Sequence, residues 1–214
     1  VEVQRDGNEI QSRTAYVATG SFGLAVVSVA DFTVPILQGE VAVPGSAIDV
    51  AVHDASDTAI VVGSAGATLV DVSDPLNPTI VETIPLPGGA TAVSFYEGVA
   101  YVATPSRLVA IDPLTSEQLE ELRVGSGGIV DLAREGSNLY AVSSSGVLTV
   151  IDVSDFIMQE RGSVDTGVSV ASSVFVGNGV AYVGRTGFQE GFGTVDVTDP
   201  QVPVVLSGVD DGSI

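Results

Sequence analysis

A short apolar run that stops at an aspartate returns along this chain at a spacing near 42 residues. No other property of the sequence limits the fold as strongly. Anchored on the residue that ends each run, the copies fall at Ser28, Asp71, Asp112, Asp152 and Asp196, separated by 43, 41, 40 and 44 residues. Self-similarity at roughly 20 to 50 residues marks an architecture assembled from repeated supersecondary units, each burying its apolar face against the next.

Every unit reads the same way. A first apolar run ends in a Gly or Asn turn, as in Asp131 to Asn138, where the turn residues supply the positive φ of a tight hairpin. A second run follows, starting at Ala15, Ala59, Ala100, Leu139 and Ala181, with Tyr16, Tyr101, Tyr140 and Tyr182 in one column. The third is the apolar run itself: Leu24 to Val29, Ala67 to Val72, Leu108 to Ile111, Leu148 to Val153 and Phe192 to Val197. The fourth is expected to be shorter and more polar. Four strands per unit at this period describe the blade of a β-propeller, because the helical repeats of similar length need amphipathic helices that this sequence lacks. The predicted fold is therefore all-β, a β-propeller of five four-stranded blades, with part of a larger propeller as the alternative. Ser116 to Leu122 is rich in helix formers but fills a fourth-strand slot, so an irregular outer strand is expected there and a single helical turn is the alternative.

One domain, residues 1–214, accommodates five repeats of about 43 residues. Asp210 to Ile214, read straight on into Val1 to Asn8, reproduces the internal join at Gly45 to Val52. The N- and C-terminal segments are thus expected to close a ring. A stretch excised from a longer array shows the same match. The chain starts in mid-strand without an initiator Met or the apolar core of a signal peptide, and reads as a mature product or an excised part of something longer.

The third-strand runs resemble the LVIVD repeat. They stand here as Leu69-Val70-Asp71-Val72-Ser73-Asp74-Pro75, Thr149-Val150-Ile151-Asp152-Val153-Ser154-Asp155 and Thr194-Val195-Asp196-Val197-Thr198-Asp199-Pro200. Unit one departs with Ser28 at the anchor, and unit three, with Asp112-Pro113-Leu114-Thr115, lacks the second Asp. The pattern is also similar to the YVTN type of propeller repeat. The resemblance implies a β-propeller from a bacterial or archaeal surface or secreted protein, and it implies no catalytic set.

Charge narrows the partners. The chain has 27 Asp plus Glu against 7 basic residues, all of them Arg, for a formal net charge of -20. Nucleic acid and anionic membrane surfaces are excluded as partners on this account, since binding them needs clustered cations. An acidic chain without lysine fits a secreted or cell-surface protein, or one living in high salt, where screening relieves self-repulsion. Hydrophobic residues make up 45% of the chain, yet no apolar run approaches the roughly 20 residues of a membrane-spanning helix. Cysteine is absent, which removes disulfides, thiolate metal sites and thiol nucleophiles.

The Asp-x-x-Asp pairs, Asp71 with Asp74, Asp152 with Asp155 and Asp196 with Asp199, carry the ligand type that Ca²⁺ recruits. Repeated in blade after blade, they read first as strand-end turns in which a carboxylate accepts backbone N–H groups. No other cofactor is expected. His53 is the only histidine, stands near a turn, and is assigned no catalytic role. The Tyr column reads as packing between blades, with a sugar-stacking platform as the alternative. Gly184 to Gly193 is the longest Gly-rich loop, and Arg185, Phe188 and Phe192 on it form a candidate contact site. The expected function is a non-enzymatic, extracellular or cell-surface scaffold for protein binding or self-assembly. The alternative is a secreted hydrolase or carbohydrate-binding propeller with a carboxylate-lined channel mouth. Function is expected where the copies differ: at Ser28, at Asp112-Pro113 and in the Gly184 to Gly193 loop.

Overall fold

The computed structural model describes residues 2–5, 13–125, 127–186 and 191–208, with the backbone alone at 2–5, 54, 207 and 208. These residues form twenty strands in five four-stranded sheets, each sheet taking four consecutive strands in order. The first sheet holds β1 (Glu2–Arg5), β2 (Arg13–Ala18), β3 (Leu24–Ser28) and β4 (Ile36–Val41); the second holds β5 (Ala47–His53), β6 (Thr58–Gly63), β7 (Gly66–Asp71) and β8 (Thr79–Pro85). The third is built from β9 (Ala92–Tyr96), β10 (Val99–Ala103), β11 (Leu108–Ile111) and β12 (Gln118–Leu122). The fourth comprises β13 (Ile129–Glu135), β14 (Asn138–Ser143), β15 (Val147–Asp152) and β16 (Gln159–Asp165), and the fifth β17 (Ala171–Gly177), β18 (Val180–Arg185), β19 (Phe192–Asp196) and β20 (Val204–Gly208). All-β architecture with four-stranded blades is what the period predicts. Among the described residues no helix is long and apolar enough to cross a membrane.

The turns follow from their residues. Asn178 and Gly179 join β17 to β18 with φ of 54° and 73°. Two positive φ values in succession define the hairpin turn whose twist matches that of its strands, and Asn-Gly is its preferred sequence. The segment with helix-forming composition is strand at Gln118–Leu122, with Ser116 at φ 61° turning the chain into it. The fourth strands depart from expectation: at five to seven residues they are as long as the others. They are also less polar at their surface than expected, exposing Ile36, Leu37, Ile80, Val81 and Leu206.

Two compact units divide the chain, one containing the first two sheets and the other the last two, with the boundary crossing the third sheet. In the first unit, Tyr16, Leu24 and Val26 pack against Ala47, Val50, Ala59, Val61, Val70 and Val72. In the second, Tyr140, Val142, Leu148 and Val150 pack against Val174, Val176, Ala181, Val183, Val195 and Val197. The two cores repeat one rule: the Tyr column of one sheet meets the Ala/Val columns of the next. Middle strands β6, β10, β11 and β14 are buried on both faces, which explains why they read as continuous apolar runs instead of alternating.

Carboxylates fasten neighbouring sheets. A register shift between Ala47 and Asp49 in β5, and the same shift between Ile129 and Asp131 in β13, mark a bulge beside the Asp, the device by which strands re-aim a side chain. Asp49 Oδ2 accepts the backbone N–H of Val93 at 3.0 Å, and Asp131 Oδ2 that of Val174 at 2.8 Å. Glu135 Oε2 accepts the Gly179 N–H at 3.1 Å and Glu120 Oε2 the Met158 N–H at 2.7 Å. Glycine allows a second kind of close approach. A Cβ on Gly39 of β4 would lie 2.6 Å from the Pro75 carbonyl oxygen, and one on Gly162 of β16 would lie 2.7 Å from that of Gln201. The Asp-Pro exit loop of one sheet thus seats backbone to backbone on the fourth strand of the sheet before it.

The expected ring closure through the chain ends rests on residues 6–12 and 209–214, outside the described residues. Glu2–Arg5 pairs with Arg13–Tyr16, and β20 with β19.

Candidate functional site on the fifth sheet

The fifth sheet breaks the burial rule of the others. Along Val174, Phe175 and Val176 of β17, and Ala181, Tyr182 and Val183 of β18, the side chains alternate strictly between buried and exposed. In β19, Phe192 is exposed and Gly193 buried. Antiparallel strands with one face on a core and one in solvent give this pattern. The buried face is the one packed on the fourth sheet, and the other stands open.

An aromatic row crosses that open face. Phe175 is paired directly with Tyr182, their rings 6.2 Å apart and tilted by 40°, and Tyr182 lies diagonally next to Phe192 at 6.3 Å and 46°. Phe175 is 66% exposed, Tyr182 42% and Phe192 44%. Large apolar side chains scattered over a surface are ordinary, but three in contact on one sheet face form a contiguous patch of the kind that marks an interaction site.

Comparison within the repeat defines the site more closely. Tyr182 occupies the column of Tyr16, Tyr101 and Tyr140, all of which are buried, Tyr140 to 2% exposure. The expectation of core packing therefore holds for three of the four and fails for Tyr182, whose face carries no sheet corresponding to the one that covers Tyr140. Gly184 and Thr194 stand where the fourth sheet has Val142 and Val150, so the cavity-filling pattern of the covered sheets is relaxed here. Ser173, beside a bulge at Ala171/Ser173, replaces the fastening carboxylate of Asp49 and Asp131.

Of the loop residues singled out in the sequence, Phe192 belongs to this row, Arg185 ends β18 on the same sheet, and Phe188 lies outside the described residues. Sequence reasoning missed Phe175. Its signal was the Ser-Val-Phe-Val alternation, which differs from the unbroken apolar runs elsewhere.

The paired aspartates serve the backbone. Asp71 Oδ1 accepts the Ser73 N–H at 2.9 Å, and Asp74 takes the Leu76 N–H at 3.0 Å and the Asn77 amide at 2.8 Å. Asp152 takes the Ser154 N–H at 2.9 Å and pairs with the Arg161 guanidinium. Asp196 accepts from Thr198, and Asp199 from the Gln201 N–H at 3.0 Å. The pattern extends to both departing units: Asp112 receives the Leu114 N–H and Asp31 that of Thr33. These bonds hold Asp31, Asp71, Asp74, Asp152 and Asp196 below the ordinary carboxylate range, with Arg161 the first cause for Asp152, the Thr33 and Thr198 hydroxyls for Asp31 and Asp196, the Asn77 amide for Asp74 and the Ser73 N–H for Asp71. Among the described residues no three His, Cys, Asp or Glu side chains come together as a metal would require. His53 Nδ1 meets the Ser56 hydroxyl at 2.7 Å, and its ring stacks on Phe95 at 5.5 Å, buttressing the turn after β5.

Comparison with known proteins agrees with this architecture. The LVIVD repeat family model matches residues 14–43 and 44–84. No curated protein is similar to the chain in sequence. A functionally unknown protein from Desulfotomaculum acetoxidans DSM 771 is similar in structure with a TM-score of 0.70 at 12% identity, over 87% of this chain and 62% of that one. The Myceliophteria thermophila Cps50 (Swd1) β-propeller domain gives 0.73 at 14% identity, over 94% and 69%. A chain of the mitotic checkpoint complex gives 0.74 at 15% identity, over 95% and 62%. At such identities the likeness concerns the fold alone, and the chain spans about 62% of the first of these structures. Residues 14–84 are LVIVD-repeat sequence, and the fold of the chain is that of a β-propeller.

Proposed function

We propose that the chain is a non-enzymatic binding or assembly module, working outside the cell or at its surface, and that the open face of the fifth sheet is where it makes contact. The observation that carries this reading is the aromatic row Phe175, Tyr182 and Phe192, exposed in a column that is otherwise core. Aromatic side chains supply large contact area at low entropic cost and are enriched at the centres of interfaces. Exposed aliphatic residues on the fourth strands, Ile36, Leu37, Val81 and Leu206, add apolar area suited to protein contact. A lysine-free chain of net charge -20 suits a protein that must stay soluble outside the cell. The carboxylates that a hydrolase would require are occupied in turns and between sheets, and this favours the scaffold over the enzyme.

Site-specific photo-crosslinking tests the reading. A photoreactive residue at 175 or 192 should give protein adducts, whereas one at Asp57, in an exposed turn of the second sheet, should give few. Equal yields from all three positions, or turnover of a glycoside or ester lost on substituting one carboxylate, would overturn it.

A further inference from the structure

We infer that the partner of the open face is a second copy of this chain, docked head to tail through the first sheet. The inference rests on the reading of that face as a protein-contact surface, and its observations are internal to the repeat. In both units a Tyr column packs on the Ala/Val columns of the following sheet: Tyr16 with Ala59, Val61 and Val70, and Tyr140 with Ala181, Val183 and Val195. The fifth sheet presents Tyr182 with no such cover. The first sheet presents the complementary columns. Val17, Ala25 and Val27 are only half-buried, whereas Val61, Thr68 and Val70 at the corresponding positions of the second sheet are fully buried. One end of the repeat array therefore offers the aromatic half of the standard contact and the other end offers the aliphatic half.

Charge is compatible with the contact at the face itself. Ser173 stands in the column of Asp49 and Asp131, so docking buries no carboxylate there. The rest of the surface opposes association, since each copy carries a net charge of -20. Salt that shortens the Debye length to about 3 Å near 1 M should therefore strengthen binding. A sheet face of four strands, about 4.8 Å apart and about 17 Å long, spans on the order of 300 Å² in projection. That lies near the low end of specific interfaces, so the association should be reversible, with a dissociation constant on the order of micromolar.

Sedimentation velocity on the 214-residue chain tests this. The chain should self-associate with rising concentration, more strongly in high salt. Phe175→Ser with Tyr182→Ser should weaken the association at least about tenfold, the effect of removing aromatic anchors. Val27→Arg, on the other face, should do the same, with circular dichroism establishing that both variants fold; Ala25→Glu replaces Val27→Arg if the latter does not. Mixing the two variants is decisive. Each retains one intact face, so the mixture should form a 1:1 dimer and stop there. Three results would overturn the proposal: a monomer at every concentration and salt, variants that leave association unchanged, or a mixture that fails to pair. If the chain is monomeric while position 175 crosslinks to a different protein, the second copy is refuted and the contact role of the face stands.

Discussion

Asp131 on β13 accepts the backbone N–H of Val174 on β17 at 2.8 Å, and it does so from beside a bulge that turns its side chain out of its own sheet. Asp49 and Val93 repeat the relationship in the other unit at 3.0 Å. Part of the acidic excess of this chain is therefore structural, since the carboxylates serve as acceptors for N–H groups of the next sheet. Removing one leaves a part-buried N–H unsatisfied. Asp131→Ala and Asp49→Ala should each cost about 1.5 to 3 kcal/mol, read from urea unfolding, and Asn at either position should recover part of that by keeping an acceptor oxygen. Equal losses for Ala and Asn would mean that hydrogen bonding is not the cause.

The Gly39 and Gly162 contacts predict a steric effect. A methyl group at either position meets a carbonyl oxygen of the adjoining exit loop at 2.6 to 2.7 Å, and backbone on both sides leaves little room to yield. Gly39→Ala and Gly162→Ala should destabilise by about 1 to 3 kcal/mol, although alanine is ordinarily the better residue in a strand. Neutral or stabilising effects in thermal unfolding would show that the sheets are not seated as described.

Acid should weaken the fold. Asp31, Asp71, Asp74, Asp152 and Asp196 are held below the ordinary value of 3.8 when folded. The unfolded chain then takes up protons first as pH falls. Their contribution is fully present above the unfolded value and disappears as pH drops through the lower folded values. Protonation of the remaining carboxylates relieves repulsion and acts the other way, so the comparison belongs in about 1 M NaCl, where that repulsion is screened. The urea midpoint should hold from pH 8 to pH 5 and fall between pH 4 and pH 2, and Asp152→Asn, which removes the Arg161 pairing, should reduce the fall. A midpoint that stays level in acid would contradict the turn assignments.

Two tyrosines in one column of the repeat should respond differently to the same substitution. Tyr140 is buried between sheets, and Tyr140→Ala should cost about 3 to 5 kcal/mol, as for other large core side chains. Tyr182→Ala should cost under about 1 kcal/mol at concentrations where the chain is monomeric. Similar losses would mean that the face of Tyr182 is covered.

The architecture was legible because burial on both faces leaves a mark in sequence. Strands such as Ala59 to Val62 and Leu108 to Ile111 are unbroken apolar runs, and the Asp that ends each third strand sets the period. The Asp-Ser-Asp-Pro exits were readable for the same reason, since a short acceptor side chain before a proline has few uses beyond a turn. The open face was harder to see. Tyr182 resembles Tyr140 in its immediate neighbours, and what separates them is a covering sheet, which a single repeat does not encode. The residues that did carry the difference, Ser173, Gly184 and Thr194, are small or polar substitutions that look like ordinary drift until the columns are aligned in space. The fastening role of Asp49 and Asp131 was hidden by the bulge, because a one-residue register shift reverses the face to which a side chain points.

The central claim is that the Tyr182 face is open in the single chain and closed by a second copy. Nitration of the native protein with tetranitromethane, located by mass spectrometry, tests it directly. In dilute, low-salt solution Tyr182 should be modified while Tyr16, Tyr101 and Tyr140 stay protected, and Tyr182 should become protected as concentration and salt rise. Protection of Tyr182 equal to that of Tyr140 under dilute conditions would contradict the open face, and modification that does not depend on concentration would contradict its closure by a second copy.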